Sequence, residues 1–209
     1  MTVETGRTFS AFAGHRRVAS GDVEATLRGV MRYLERHEGE NVLVFEDRTG
    51  KQIDFDLRGT ADEALARLGE HPAFAPPPEA APRTGPGRPK LGVVSREVSL
   101  LPRHWEWLDA QSEGVSGALR RLVEEARKRG QGKLLARQAR EAAGKFMWTL
   151  AGDLPGFEEA SRALYAKDQE ALDRRIKRWP KDIRQHVERL VAEAVRLEAA
   201  AESEREVVT

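Results

Sequence analysis

The chain has no cysteine among its 209 residues. A disulfide scaffold, a thiol nucleophile and a thiolate-held metal or iron–sulfur cluster are therefore excluded. It has no apolar run near the ~18 residues that a membrane-spanning helix needs. Its first ten residues, MTVETGRTFS, lack the apolar stretch of a secretory signal. Aromatic residues make up only 6% of the chain and charged ones 33%, so its cores are expected to be small and its charged faces to dominate. These gaps lead to the expectation of a cytoplasmic protein with no membrane association.

Charge is abundant but nearly balanced, with 35 Lys+Arg against 34 Asp+Glu. Its distribution is uneven. Residues 1–71 carry 10 basic and 13 acidic side chains, residues 83–140 carry 13 and 6, and residues 141–209 carry 12 and 14. The positive charge is concentrated in the middle, which is the charge pattern of a nucleic-acid contact.

Proline is concentrated as well. Seven of the ten prolines fall within His71–Lys90. Proline removes a backbone donor and fixes φ, so this stretch reads as a linker over 71–91. Before it, residues 7–70 read as an α+β domain. Phe9 and Phe12 mark a strand, and Val23, Leu27, Val30, Met31 and Leu34 recur at helical spacing. NVLVFEDRTGKQIDFDL is a hairpin with its turn at Asp47–Gly50. Thr60 with Glu63 forms a capping box.

After the linker, residues 92–130 read as strand–helix–helix. Val94, Val98 and Leu100 alternate. Pro102 suits the first turn of a helix, and Ser116 is placed to cap a second one. Trp105 and Leu108 share a helix face, which points to core packing. Residues 131–200 read as a helical bundle, with 201–209 as a frayed tail. The fold class is α+β.

The central segment resembles the ribbon-helix-helix DNA-binding proteins. The likeness rests on Val98-Ser99-Leu100, Pro102, Leu108 and Gly114-Val115-Ser116. About 37 residues with a lone strand cannot bury an adequate core. The resemblance implies a homodimer through the central strand, whose two-stranded ribbon enters the major groove of double-stranded DNA. Ser95, Glu97 and Ser99 would then face bases; a one-residue shift would instead put Arg96 outward. Ser116 and Gly117 would hold a phosphate at a helix start. Glu97 departs from a basic ribbon. Gly87-Arg88-Pro89-Lys90 resembles half of an AT-hook, which implies a minor-groove arm carrying Arg88 and Lys90. Arg120 and Arg121 begin a basic run, continued by Arg127, Lys128, Arg129, Lys133, Arg137 and Arg140, that could neutralise phosphates.

Enzyme signatures are missing. His15, His37, His71, His104 and His186 show no metal-ligand spacing, and no phosphate-binding glycine motif is present. No cofactor and no metal are expected, and the protein is read as not an enzyme. A pocket with converging ionisable groups would favour the opposite reading. The N-terminal domain is expected to take a protein partner or a ligand. The alternative reading is a protein–protein module in which the ribbon only dimerises. Three stretches, FSAFAGHRRVASGD with VLVFEDRTGKQIDFDLRGT, GRPKLGVVSREVSLLPRHWEWLDAQ and KFMWTLAGDLPGFEEASRALYAKD, resemble a bacterial family known as domain of unknown function number twenty-two thirty-nine. That likeness implies a bacterial origin and no activity.

Overall fold

The structure is a computed structural model. It describes residues 6–74 and 96–206, without the side chains of residues 128, 129 and 204–206. The chain divides into two units. One comprises residues 1–75 with 130–209, the other residues 76–129.

The first unit begins with β1 (Phe9–Ala13), β2 (Arg16–Gly21), α1 (Val23–Leu34), β3 (Val42–Glu46), β4 (Lys51–Ile53) and α2 (Ala61–Ala66), followed by a 3-10 turn over Arg67–Glu70. The four strands form an antiparallel sheet in the order β2-β1-β3-β4. β1 lies in the interior of the sheet and all five of its residues are buried, so both faces of the sheet are covered.

Strand alternation divides the side chains between those faces. Phe9, Ala11, Val44 and Ile53 pack with Val23, Leu27 and Val30 of α1. Phe12 and Phe45 point the other way, into a larger cluster with Phe146, Met147, Leu164, Ile176, Ile183 and Val187. The C-terminal helices pack on the N-terminal sheet, and the two form one unit.

Local chemistry explains the element ends. Asp22 caps α1 by accepting from the Ala25 N–H at 2.8 Å. Thr60 and Glu63 close the expected capping box on α2. Gly50 ends the β3–β4 turn at φ +63°, and a Cβ there would overlap the backbone of Ala142. Glycine is required on both counts.

The helices are α3 (Pro102–Asp109), α4 (Gly114–Ala151), α5 (Phe157–Ala166), α6 (Gln169–Ile176) and α7 (Lys181–Glu206). Two expectations are corrected here. A helix end was expected near residue 130, between the central segment and the bundle. Instead α4 runs for 38 residues through Gly130 and Gly132. Gly132 serves close packing: a Cβ there would stand 2.6 Å from the Ala201 Cβ of α7. That contact also corrects the frayed tail. α7 continues to Glu206, and Ala201 is buried. Residues 207–209 lie outside the described residues.

The second unit contains α3 and the first part of α4. The expected strand over 94–100 is absent from its described part: residues 96–101 are neither helix nor strand. A strand needs a ladder partner, and the described residues of the single chain supply none. Val94 and Ser95 lie outside the described residues.

Candidate functional site

The residues expected to meet DNA fall in the second unit. Arg88, Lys90 and Ser95 lie outside the described residues. Arg96, Glu97 and Ser99 are exposed. α4 starts at Gly114, so Ser116 is not the cap. It lies with Gly117 in the first turn, where N–H groups have no acceptor within the helix. The Ser116 carbonyl accepts from Arg120 Nε at 3.0 Å, and the Arg120 guanidinium remains exposed.

The basic run is less available than its composition implies. Arg121 pairs with Glu113 at 2.7 Å and Glu125 at 3.3 Å. Arg127 pairs with Glu124 at 3.1 Å, and Arg137 with Glu141 at 2.8 Å. Arg140 is a buried clamp rather than a surface cation. Its guanidinium donates to the Leu164 carbonyl at 3.0 Å and to Glu198 at 3.1 Å. Lys167 meets the same Glu198 at 2.7 Å. Burial pushes the Glu198 carboxyl up, but these two cations hold it below its ordinary range. Helical spacing placed these charges along one helix, but their partners lie up to 58 residues away.

The aromatic reading is also corrected. Leu108 is buried as expected, but its face-mate Trp105 is 36% exposed. Val98, Leu101, Trp107 and Val123 are 56%, 50%, 49% and 61% exposed. Among the described residues of this unit only Leu108 and Ala118 are buried. Apolar residues at core spacing are therefore left exposed by the described residues of the single chain.

The first unit holds a polar cluster that the sequence did not reveal. His186 of α7 is fully buried, with its ring 4.2 Å from that of Phe146 and 5.2 Å from that of Phe12. Its Nδ1 is 3.2 Å from Arg189 Nη2, and its Nε2 is 3.8 Å from Asp47 Oδ1. The same Arg189 nitrogen is 3.0 Å from Asp47 Oδ1 and donates to Ser10 Oγ at 3.4 Å. Burial, aided by Arg189, pushes the imidazole down to about 4, although Asp47 works in the other direction. The ring is therefore neutral at pH 7. Asp47 is 7% exposed, and both its Oδ1 and His186 Nε2 are buried without a hydrogen bond. Asp47 lies in the hairpin turn, 139 positions before His186, a separation no local motif reports.

Asp47 and Arg189 reach the wall of a cavity of about 560 Å³. Arg48, Gln138, Glu193 and Arg196 share its polar side, and Leu135, Ala139, Leu190 and Leu197 its apolar side. Neither His186 nor Ser10 lines it. The arrangement can bind a molecule, but its buried imidazole is not presented to one.

Asp54 and Asp56 are not a paired-acid site. Asp56 is held by Arg58 at 2.8 Å and Arg67 at 3.2 Å, and the Arg58 guanidinium keeps its carboxyl well below the usual range. Among the described residues no cluster of three or more His, Asp or Glu is placed to hold a metal ion. None of the described helices is long and apolar enough to cross a membrane.

The class is thus an α+β protein with a mainly helical C-terminal half. Residues 8–191 match the family described as "Uncharacterized protein conserved in bacteria (DUF2239)", and the chain belongs to that family. No curated protein and no solved structure matches it.

Proposed function

We propose that this is a cytoplasmic, dimeric bacterial DNA-binding protein, a transcriptional regulator or nucleoid-associated protein rather than an enzyme. The observation that carries this reading is the uncovered apolar surface of the central unit. Val98, Leu101, Trp105, Trp107 and Val123 are all exposed on a segment too short to bury them itself. A second copy would cover them, and pairing of residues 94–100 between the two copies would give a ladder to residues 96–100, which are neither helix nor strand in the single chain. Arg96 and Arg120 are exposed and form no ion pair among the described residues, available to phosphates beside the ribbon. Ser95, Ser99, Ser116 and Gly117, with the arm residues Arg88 and Lys90, complete the proposed contact.

A second reading keeps the dimer and drops the DNA. It is favoured by the ion pairs of Arg121, Arg127 and Arg137, and by Glu97 on the proposed outer face.

Sedimentation equilibrium and fluorescence anisotropy with random duplex DNA separate the two. The first reading expects a dimer, with binding that falls steeply as salt rises. Arg96→Ala with Arg120→Ala should lower the log–log salt slope by roughly two, since each lost phosphate contact is worth about 0.9. Arg121→Ala should lower it by less. A dimer with no DNA binding at low salt supports the second reading, and a monomer at all concentrations overturns both.

A further inference from the structure

The cavity of the first unit is not used by the central segment, and the inference from it stands independently of DNA binding. From its wall we infer that this unit binds a small amphipathic organic anion carrying a hydrogen-bond donor.

Size comes first. About 560 Å³ falls within the ~300–1,000 Å³ typical of small-molecule sites. The walls then divide the chemistry. α4 contributes Leu135 and Ala139, and α7 contributes Leu190 and Leu197, which together make an apolar surface between two helices. The hairpin turn contributes Asp47 and Arg48 at one end.

Charge sets the sign of the ligand. Three arginines, Arg48, Arg189 and Arg196, line the cavity with two carboxylates, Asp47 and Glu193. Arg196 is held by Glu193 through two contacts of 2.6 and 2.7 Å, and Arg189 lies 3.0 Å from Asp47. Arg48 is exposed and has no acidic partner among the described residues. The wall therefore has one uncompensated cation, which favours a carboxylate, sulfonate or phosphate on the bound molecule.

The donor requirement comes from Asp47. Its Oδ1 is buried beside Arg189 and receives no hydrogen bond. Asp47 lines the cavity, so an N–H or O–H of a bound molecule would meet its carboxylate. Arg48 and Asp47 are consecutive, so one turn of the hairpin presents both the cation and the acceptor.

The test uses 8-anilinonaphthalene-1-sulfonate, an amphipathic anion with one N–H donor, titrated by fluorescence into the full chain. The expected result is one site per chain. Arg48→Glu should weaken it by at least about tenfold. So should Ala192→Trp, an exposed lining position where an indole would block the cavity. Trp107→Ala, in the other unit, should leave it unchanged. The N-methylated probe, which lacks the donor, should bind about fivefold or more weakly, in line with one lost hydrogen bond to a charged group. Circular dichroism of each variant confirms that the fold is retained. Binding insensitive to both Arg48→Glu and Ala192→Trp, or binding abolished by Trp107→Ala, would overturn the inference, as would the absence of binding. Equal affinity for the N-methylated probe would remove Asp47 from it.

Discussion

Residues 6–74 with 130–206 bury two apolar clusters, whereas residues 96–129 bury only Leu108 and Ala118 among their described side chains. Both regions are rich in charge, and both carry apolar residues at helical spacing. The difference lies in what stands opposite. Phe146 and Met147 of α4 face a sheet and three further helices. Val123, earlier on the same helix, is 61% exposed. A hydrophobic period shows which side of a helix needs cover. It does not show whether the cover comes from the same chain.

The comparison can be broken or sharpened by measurement, and the largest effect is expected in the first unit. Phe146→Ala removes a fully buried ring that packs on Phe12, Phe45 and His186. It should cost about 3–5 kcal/mol in urea unfolding. A loss below about 1 kcal/mol would show that the cluster is not a packed core.

His186 comes next. Its folded-state value is depressed below the usual 6.5 to about 4, first by burial and then by Arg189 and Arg17, against Asp47. The unfolded chain therefore binds the proton more readily. Stability should be full above about pH 6.5 and decline as the pH falls towards 4, by up to about 1.4 kcal/mol per pH unit. His186→Phe should flatten that part of the profile. A profile of unchanged slope in the variant would assign the acid sensitivity elsewhere.

The two helical glycines should respond with opposite signs. Gly132→Ala forces a Cβ to within 2.6 Å of the Ala201 Cβ, and overpacking of this kind costs about 1–3 kcal/mol. Gly130→Ala meets nothing within 4 Å and should stabilise by up to about 1 kcal/mol through helix propensity. Equal shifts in melting temperature would contradict the close approach of α4 to α7.

The smallest effect is reserved for the second unit. Trp107→Glu should change the stability of the first unit by no more than about 0.5 kcal/mol, since the ring is 49% exposed. The same change should abolish dimerisation, read by sedimentation equilibrium. A dimer that survives it would move the interface off this face.

Much of the fold was legible in the chain. Short-range chemistry carried the order of strands and helices up to residue 70, the hairpin turn and the capping box at Thr60. Each depends on residues a few positions apart. The misreadings share a cause. A helix end was read near residue 130, yet α4 runs on through Gly130 and Gly132. Only Ala201, far along the chain, makes a small residue necessary at 132. Trp105 read as core because it shares a face with Leu108, yet it is 36% exposed to Leu108's 2%. Arg137 and Arg140 read as one basic stripe, but one pairs along the helix and the other is buried against Glu198 on α7.

By itself, then, the sequence determined where strands, turns and helices form, and which faces are apolar, since these follow from side-chain period, caps and turn residues within a few positions. The tertiary structure alone decided the rest. It placed the C-terminal helices on the N-terminal sheet. It buried His186 beside Asp47 and Arg189, and it left Arg48 uncompensated at a cavity edge. Such placements bring together groups more than a hundred residues apart. They are set by which surfaces can exclude water together, a property of the whole fold that no local pattern carries.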